Sequence, residues 1–338
     1  MRPVRSWLRA CVLWTTLTAL AGLASLVHAQ TCQISGDLDD ATRSAITAAA
    51  QRYFDMASKG DAAALRQTAI PSLASDFSGI ETTVKDHQQD LAGAQPTVKA
   101  LFLLDAEGTV AIPHAEFYCG VFGKNGQTSG SAVFYFDNLP PGKYAVIIFD
   151  ATSPQARTNL SVVAQQTGAY WKLAGLYFKA TLVAGHDSEW FAARAREYKT
   201  KGQLHNAWLF YVEARSLISP LPFMSTQATD KLYDEFQSLE PADFPLDGKT
   251  ADLVAGSTTY KLTALFPTAV GSDLDLVVKY QTADISNTGQ ANQNNVAVIK
   301  ALVAKFPELR DAFAAVVARA VDASGHDFGT LLAMKDIK

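Results

Sequence analysis

The pattern of hydrophobic and polar positions changes along the chain and marks a first region at 37–186. This region opens with a helical period, in which apolar residues such as Ile46, Tyr53 and Phe54 recur at three- and four-residue spacing. After Pro96 the period becomes two, as in β-strands. Helices followed by an antiparallel sheet are typical of an α+β layer domain.

Turn and cap signals divide the first region into elements. Gly60 and Asp61 separate the first helix from a second one, which ends by Pro71. Residues 123–126 and 138–142 predict hairpin turns. The later predicted helices are 62–67 and 78–91, and the predicted strands are 97–104, 115–122, 130–136, 143–150, 160–167 and 169–180.

Two further regions follow, a helical segment at 187–239 and a small α+β domain at 246–338, separated by the proline-rich stretch 241–245. In the last region the pattern predicts strands 258–266 and 273–280, a polar loop 287–295, helices 296–305 and 308–322, and a final strand 327–334. The expected order there is β-β-α-α-β.

Residues 1–29 have the pattern of an export signal. Three arginines precede an apolar stretch at 10–27, and small residues after it predict cleavage before Gln30. An uncleaved membrane anchor is the alternative, because such a stretch is near the lower limit of the roughly 17–25 residues that span a bilayer. We expect a periplasmic or secreted protein with no membrane insertion after cleavage.

Cys32 and Cys119 are the two cysteines left after signal removal. An even pair in an oxidising compartment predicts a disulfide between the mature N-terminus and a distant strand. A catalytic thiol is the alternative, and no constellation of histidine or asparagine supports it.

Composition and charge narrow the classes of function. The chain has 338 residues, of which 48% are hydrophobic and 18% charged, as in globular proteins. Removing the three signal arginines takes the formal charge from −4 to −7 (−4 − 3). This acidic balance argues against nucleic acid and anionic membranes as partners.

The motifs of several common chemistries are missing from the sequence. The five histidines of the mature chain show no metal-ligand spacing, and there is no Cys-x-x-Cys pair. The sequence also lacks a Gly-x-Ser-x-Gly elbow, a Walker loop and a Gly-x-Gly-x-x-Gly fingerprint. We therefore expect no metal and no cofactor.

Several motifs in the first region resemble nuclear-transport-factor-2-like domains. Ala-Gln-Arg-Tyr-Phe-Asp at 50–55, Lys-Gly-Asp-Ala-Ala-Ala-Leu at 59–65 and then Pro71 are similar to the family's opening helices. The run around Trp-Lys-Leu-Ala-Gly at 168–179 is similar to its closing strand. The matches bracket 41–180. The resemblance implies a helix-backed curved antiparallel sheet forming a cone with a pocket, and a homodimer paired through the open sheet face.

The resemblance also implies candidate pocket residues, since isomerase-type members hold an acidic base and an acid or tyrosine inside the cone. Glu116, Tyr118 and Tyr135 lie on predicted strands beside His114. Strand alternation places Glu116 and Tyr118 on one face and Cys119 on the other. In the alternative interpretation the tyrosines are wall residues and Glu116 faces water.

Two other resemblances concern shorter segments. Residues 136–144 resemble the closing hairpin of carboxypeptidase-regulatory-like β-sandwiches, which makes a sandwich the alternative fold, although the preceding helices fit it poorly. The second region resembles a single tetratricopeptide hairpin, in which Gly202 permits the turn and Ala207 and Ala214 allow close helix approach. Because an array needs about three repeats, we expect this hairpin to pack on its neighbours, with peptide binding as the alternative.

The functional expectation follows from these features. We expect an exported, non-enzymatic binding or interaction protein whose partner is a protein or small molecule. The alternatives are a cofactor-free isomerase or hydrolase that uses the cone, and a structural component of the cell envelope.

Overall fold

The computed structural model describes residues 30–122, 126–154, 156–246 and 248–338. The predicted export signal at 1–29 lies outside the described residues. Within these ranges the chain is mixed α+β, with eight α-helices and three largely antiparallel sheets, none of which is closed. No helix in the described part is long and apolar enough to cross a membrane.

The element bounds are as follows. The helices are α1 (Asp40–Ser58), α2 (Ala62–Thr68), α3 (Pro71–Ser75), α4 (Ser78–Leu91), α5 (Ser188–Thr200), α6 (Leu204–Ile218), α7 (Gln227–Phe236) and α8 (Thr288–Lys305). The strands are β1 (Thr31–Ile34), β2 (Gln95–Ala106), β3 (Ile112–Cys119), β4 (Ala132–Leu139), β5 (Gly142–Thr152), β6 (Arg157–Thr167), β7 (Tyr170–Ala180), β8 (Met224–Thr226), β9 (Ala251–Ala255), β10 (Thr258–Val270), β11 (Asp273–Gln281), β12 (Ala315–Val321) and β13 (Asp327–Ala333).

The first sheet has the strand order β1-β2-β5-β6-β7, and all its neighbours are antiparallel. Helices α1 to α4 cover one of its faces. Phe54 of α1 packs edge-on against Phe149 of β5, with ring centroids 5.7 Å apart. The hydroxyl of Tyr53 donates to the carbonyl of Trp171 over 2.6 Å. The helix layer is therefore fixed to the sheet by packed side chains and by a buried hydrogen bond.

A second, three-stranded sheet with the order β3-β4-β8 covers part of the opposite face. Phe134 of β4 packs against Phe102 of β2, with ring centroids 5.0 Å apart. The central strand β5 is consequently buried on both sides, with Ile147 in the helix layer and Ile148 under the second sheet. The fold has three layers here, and the cone that the resemblance implies is not confirmed.

One predicted turn does not form a hairpin. Residues 138–142 join β4 to β5, which belong to different sheets. Strand β4 pairs with β3 and β8, whereas β5 pairs with β2 and β6. The hairpin prediction for 138–142 was wrong because a turn signal fixes the local chain reversal but not the partner of the next strand.

The predicted disulfide is present between Cys32 of β1 and Cys119 of β3. Strand β1 lies at the edge of the first sheet and β3 at the edge of the second. The bridge therefore ties the two sheets together at one edge.

The helical segment forms the predicted hairpin. Gly202 has a φ of +76° in the turn between α5 and α6, a conformation that favours glycine. Ala207 and Ala214 of α6 are fully buried. Helices α5 to α7 share one hydrophobic core with the third sheet and α8, so the hairpin does pack on a neighbour.

The third sheet has the order β13-β12-β11-β10-β9, and its one parallel pair is β11 with β12. Helix α8 connects these two strands as a β-α-β crossover. The order of elements in this region is therefore β-β-β-α-β-β, not the predicted β-β-α-α-β.

Two element predictions in the third region were wrong. The expected polar loop 287–295 is the start of α8, where the Asn287 side chain accepts a hydrogen bond from the Gln290 amide. The expected helix 308–322 is a 3-10 turn followed by β12. Val316, Ala318 and Ala320 of β12 are buried at a two-residue period. Because the run is rich in alanine, its sequence resembled a helical pattern.

A buried polar network explains why α8 extends into the asparagine-rich run. Asn295 is fully buried and its side-chain oxygen accepts a hydrogen bond from the Tyr280 hydroxyl over 2.8 Å. Its amide donates to the Phe328 carbonyl and to the Thr330 hydroxyl, both over 3.0 Å. The same side chain thus links α8 to β11 and β13.

We predict that removing the disulfide destabilises the protein by about 4 kcal/mol at most, because the bridge constrains a long loop in the unfolded chain. The sequence separation of the two cysteines is 87 residues. The measurement is urea unfolding of the mature protein with and without reductant. The double Cys32→Ala and Cys119→Ala variant is the control and should not respond to reductant. Equal midpoints for the oxidised and reduced wild type would contradict the prediction.

We predict that Asn295→Ala costs about 1–3 kcal/mol, because the Tyr280 hydroxyl and the Phe328 carbonyl lose their buried partner. The matched control is Gln293→Ala, which is an exposed position of the same helix and should change stability by less than about 0.5 kcal/mol. Denaturant midpoints at constant m-value provide the comparison. Similar losses in both variants would show that the network contributes nothing specific.

Candidate binding groove

A groove of about 980 Å³ lies between the first sheet and the helical segment. It opens where the second sheet stops covering the first sheet, so it joins elements from three parts of the chain. Pockets that bind small molecules range over roughly 300–1,000 Å³, and this groove lies at the upper end of that range. We call it the inter-layer groove, and the residues that contribute to it come from β2, β5, β6, the β3–β4 connection, α5, α6, β8 and α7.

The floor of the inter-layer groove is apolar. Phe102 and Ile148 belong to the face of the first sheet that also carries the second sheet. Leu217 and Met224 close the floor from the side of α6 and β8. All four side chains are buried, so the floor is part of the packed core and is held rigidly.

The walls of the groove are polar and carry both signs of charge. Lys99 and Arg157 lie on the wall formed by the first sheet, and Asp230 and Asp234 lie on the wall formed by α7. Lys99 is paired with Asp150 over 3.3 Å. Arg157 forms no ion pair with any carboxylate of the described ranges.

Local hydrogen bonds position these walls. Helix α7 begins at a Thr226 cap, whose hydroxyl accepts from the Thr229 amide over 3.3 Å. The amide of Thr226 in turn donates to the Thr229 hydroxyl over 2.8 Å. At the end of the β3–β4 connection the hydroxyl of Ser131 donates to the Gly120 carbonyl over 2.8 Å. Local hydrogen bonds therefore hold the beginning of α7 and the end of the β3–β4 connection.

The link between the first sheet and α5 forms another side of the groove. The Asp187 carboxylate caps α5 by accepting from the Trp190 amide over 3.0 Å. The neighbouring Ser188 hydroxyl donates to the Ala214 carbonyl of α6 over 2.7 Å. These bonds hold the beginning of α5 against α6 at the edge of the groove.

A second polar contact joins the first sheet to α6 next to the groove. The Lys179 ammonium of β7 donates to the Ser216 hydroxyl over 2.7 Å. Glu213, one turn earlier on α6, is half-buried. Burial raises the pKa of Glu213, and the positive charge of Lys179 opposes that rise.

The three predicted pocket residues lie elsewhere, on the outer face of the second sheet. Glu116 and Tyr135 are direct cross-strand partners on β3 and β4. Tyr118 is on the same face as Glu116, whereas Cys119 points inward, as strand alternation predicts. Tyr118 is 44% exposed and Tyr135 is 46% exposed. The structure thus brings the three residues together on an open surface, and none of them lines the inter-layer groove.

The hydroxyl of Tyr118 donates to the carboxylate of Glu116. This hydrogen bond and the negative charge of Glu116 raise the pKa of Tyr118. Nearby, His114 and Asp137 form a solvent-exposed pair with the Nδ1 and Oδ1 atoms 2.9 Å apart. These contacts pair Tyr118 with Glu116, and His114 with Asp137, within the outer face.

Sequence reasoning did not single out Lys99, Arg157, Asp230 or Asp234. Each is an exposed or half-buried charged residue in an amphipathic element, which by itself indicates only a solvated face. The four residues lie far apart in the sequence, and no local motif connects them. The only available signal was the helical segment, whose concave side was considered for peptide binding.

The described residues contain no group of three or more His, Cys, Asp or Glu side chains that could hold a metal ion. Comparison of the chain with protein-family models, with curated proteins and with solved structures finds no match. The resemblance to nuclear-transport-factor-2-like domains therefore stays a prediction, as do the tetratricopeptide resemblance and the domain boundaries.

We predict that Glu213→Gln stabilises the protein at about pH 7.5 and has no effect at about pH 4. Burial raises the pKa of Glu213 in the folded state above its ordinary value of 4.5. As the pH rises from this ordinary value through the raised one, ionisation of the carboxyl therefore destabilises the folded state. Below the ordinary value both states are protonated and the penalty is absent. Thermal unfolding of both proteins at both pH values measures the difference.

The matched control for this experiment is Glu107→Gln, which changes an exposed carboxyl. It should shift the melting temperature equally at both pH values. A gain for Glu213→Gln that is the same at both pH values would show that the substitution acts through packing and not through the charge.

Proposed function

We propose that the protein is an exported, non-enzymatic binding protein that holds its ligand in the inter-layer groove. The observation that carries this proposal is the combination of an apolar floor with charged and hydroxyl-bearing walls in one space of about 980 Å³. Binding sites are typically concave and apolar, with a few placed polar groups that orient the ligand. The groove has this character.

Export and a soluble life in the periplasm or outside the cell belong to the same proposal. The Cys32–Cys119 disulfide supports it, because such bridges persist in oxidising compartments. The ligand is proposed to be a small molecule or a segment of a protein, and not nucleic acid, because the mature chain is acidic.

The cone and its pocket remain the basis of the catalytic alternative, an isomerase or hydrolase that uses Glu116, Tyr118 and Tyr135. Helices α1 to α4 on one face of the first sheet support the helix-backed arrangement. The open position of the three side chains gives this alternative less support than the groove gives to binding. A structural envelope role and a homodimer stay as further proposals without an observation that favours them.

The test of groove binding uses a variant that fills the groove. Ala228 is an exposed residue of α7 that lines it, so Ala228→Trp should occupy the space without disturbing the core. Native mass spectrometry of the protein purified from its exported compartment should show a retained ligand. We expect at least a tenfold loss of ligand occupancy in Ala228→Trp.

The matched control is Ala193→Trp, which places the same side chain on an exposed position of α5 outside the groove lining. It should retain the ligand at the wild-type level. The proposal would be overturned if both variants kept the ligand, or if no ligand accompanied the wild-type protein and none bound it in solution.

A further inference from the structure

We infer that the inter-layer groove takes short peptides with free ends, with the peptide ammonium at Asp230 and Asp234 and the peptide carboxylate at Arg157. This inference rests on the proposed function, because it names the class of ligand for the same groove. It follows from the charged residues of the walls, because some of them have a partner of opposite charge within the protein and others do not.

The α7 wall supplies two carboxylates without a cationic partner. Asp230 and Asp234 are four residues apart, so they lie on the same face of α7, and both line the groove. Their hydrogen-bond donors are neutral: the Thr229 hydroxyl for Asp230 and the Gln237 amide for Asp234. Like charges at this spacing destabilise a helix, and a bound ammonium would relieve that repulsion.

The α7 wall also carries one lysine. Lys231 lies between the two aspartates in sequence and lines the groove with them, and it forms no ion pair with a carboxylate of the described residues. Glu235, one turn further along the helix, accepts two hydrogen bonds from Arg196, at 2.8 and 2.9 Å, and these bonds lower its pKa. The wall formed by α7 therefore keeps a net negative charge, with two carboxylates against one ammonium.

The wall formed by the first sheet carries an unpaired positive charge. Lys99 is neutralised by Asp150, whereas the exposed Arg157 has no carboxylate partner among the described residues. A guanidinium presents a planar fork of donors that matches a carboxylate. On the α5 side, Asp187 is committed to its helix cap, while Glu189 also lines the groove and adds to the attraction for an ammonium.

The space between these charges suits a peptide. The apolar floor formed by Phe102, Ile148 and Leu217 accepts apolar side chains. Hydroxyl and amide groups on the rim, among them Ser129, Thr181 and Gln227, offer partners to peptide N–H and C=O groups. A molecule with an ammonium at one end, a carboxylate at the other and amides around an apolar body matches the carboxylates of α7, the guanidinium of Arg157 and the apolar floor.

The test uses a tetrapeptide of alternating leucine and alanine in four forms: free at both ends, N-acetylated, C-amidated, and blocked at both ends. Isothermal titration calorimetry of the full mature protein measures each dissociation constant. Because Arg157 and Asp234 are exposed and Asp230 is half-buried, we expect each blocked end to weaken binding by about two- to fivefold. The doubly blocked form should bind most weakly.

Variants assign each end to its wall. In Asp230→Asn combined with Asp234→Asn, N-acetylation should no longer weaken binding, whereas C-amidation still should. In Arg157→Gln the pattern should be reversed. Asp55→Asn and Arg52→Gln are matched controls on α1, away from the groove lining, and should leave the four dissociation constants unchanged.

The outcomes separate the peptide inference from the groove proposal. Equal affinities for the four forms, or no binding of any form at millimolar concentration, would overturn the inference. If Ala228→Trp still removed the ligand that accompanies the wild-type protein, the groove proposal would stand with a ligand of another class. If Ala228→Trp bound the free tetrapeptide as tightly as the wild type, the peptide would bind outside the groove and the inference would fall. If this variant also kept the ligand that accompanies the wild-type protein, both would fall.

Discussion

Burial of both faces of the first sheet is the constraint on which the rest of the structure depends. The run from Ala145 to Phe149 in β5 is buried at every position, so alternate side chains must be covered from opposite sides. Helices α1 to α4 supply one cover and the second sheet supplies the other. Leaving either face open would expose a continuous apolar surface, which a soluble domain rarely tolerates at this size.

The second sheet covers only part of its face of the first sheet, and this explains where the groove lies. The second sheet has three strands, and its third strand β8 is contributed by the helical segment. It cannot extend over the whole width of a five-stranded sheet. The remaining part of that face is approached by α6 and α7, which are anchored in the core shared with α8 and the third sheet and do not cover the first sheet completely. The inter-layer groove is the space left between two covers that belong to different cores.

Covalent and polar links connect the layers in two places. The disulfide holds the second sheet to the first at one edge, where β1 and β3 meet. The helical segment is connected to the first sheet by the hydrogen bond from Lys179 to Ser216, and to the second sheet by the pairing of β8 with β4. Leu221, Phe223 and Met224 of the helical segment also pack into the core between the first and second sheets, so apolar contacts and directional bonds together set the relative position of the groove walls.

Much of the local structure could be predicted from the sequence, because it is decided by neighbours along the chain. The two-residue period placed six strands of the first region with boundaries that differ by three residues or fewer, and alternation correctly separated Tyr118 from Cys119. The run 315–321 was mistaken for helix because alanine suits both elements, and only pairing with β11 and β13 reveals its period. The sequence by itself therefore determined most element types of the first region, the disulfide and the faces of most strands there. Only the tertiary structure decided which sheets stack and where a groove remains, because residues as distant in sequence as Arg157 and Asp234 line the same groove and no local pattern records this.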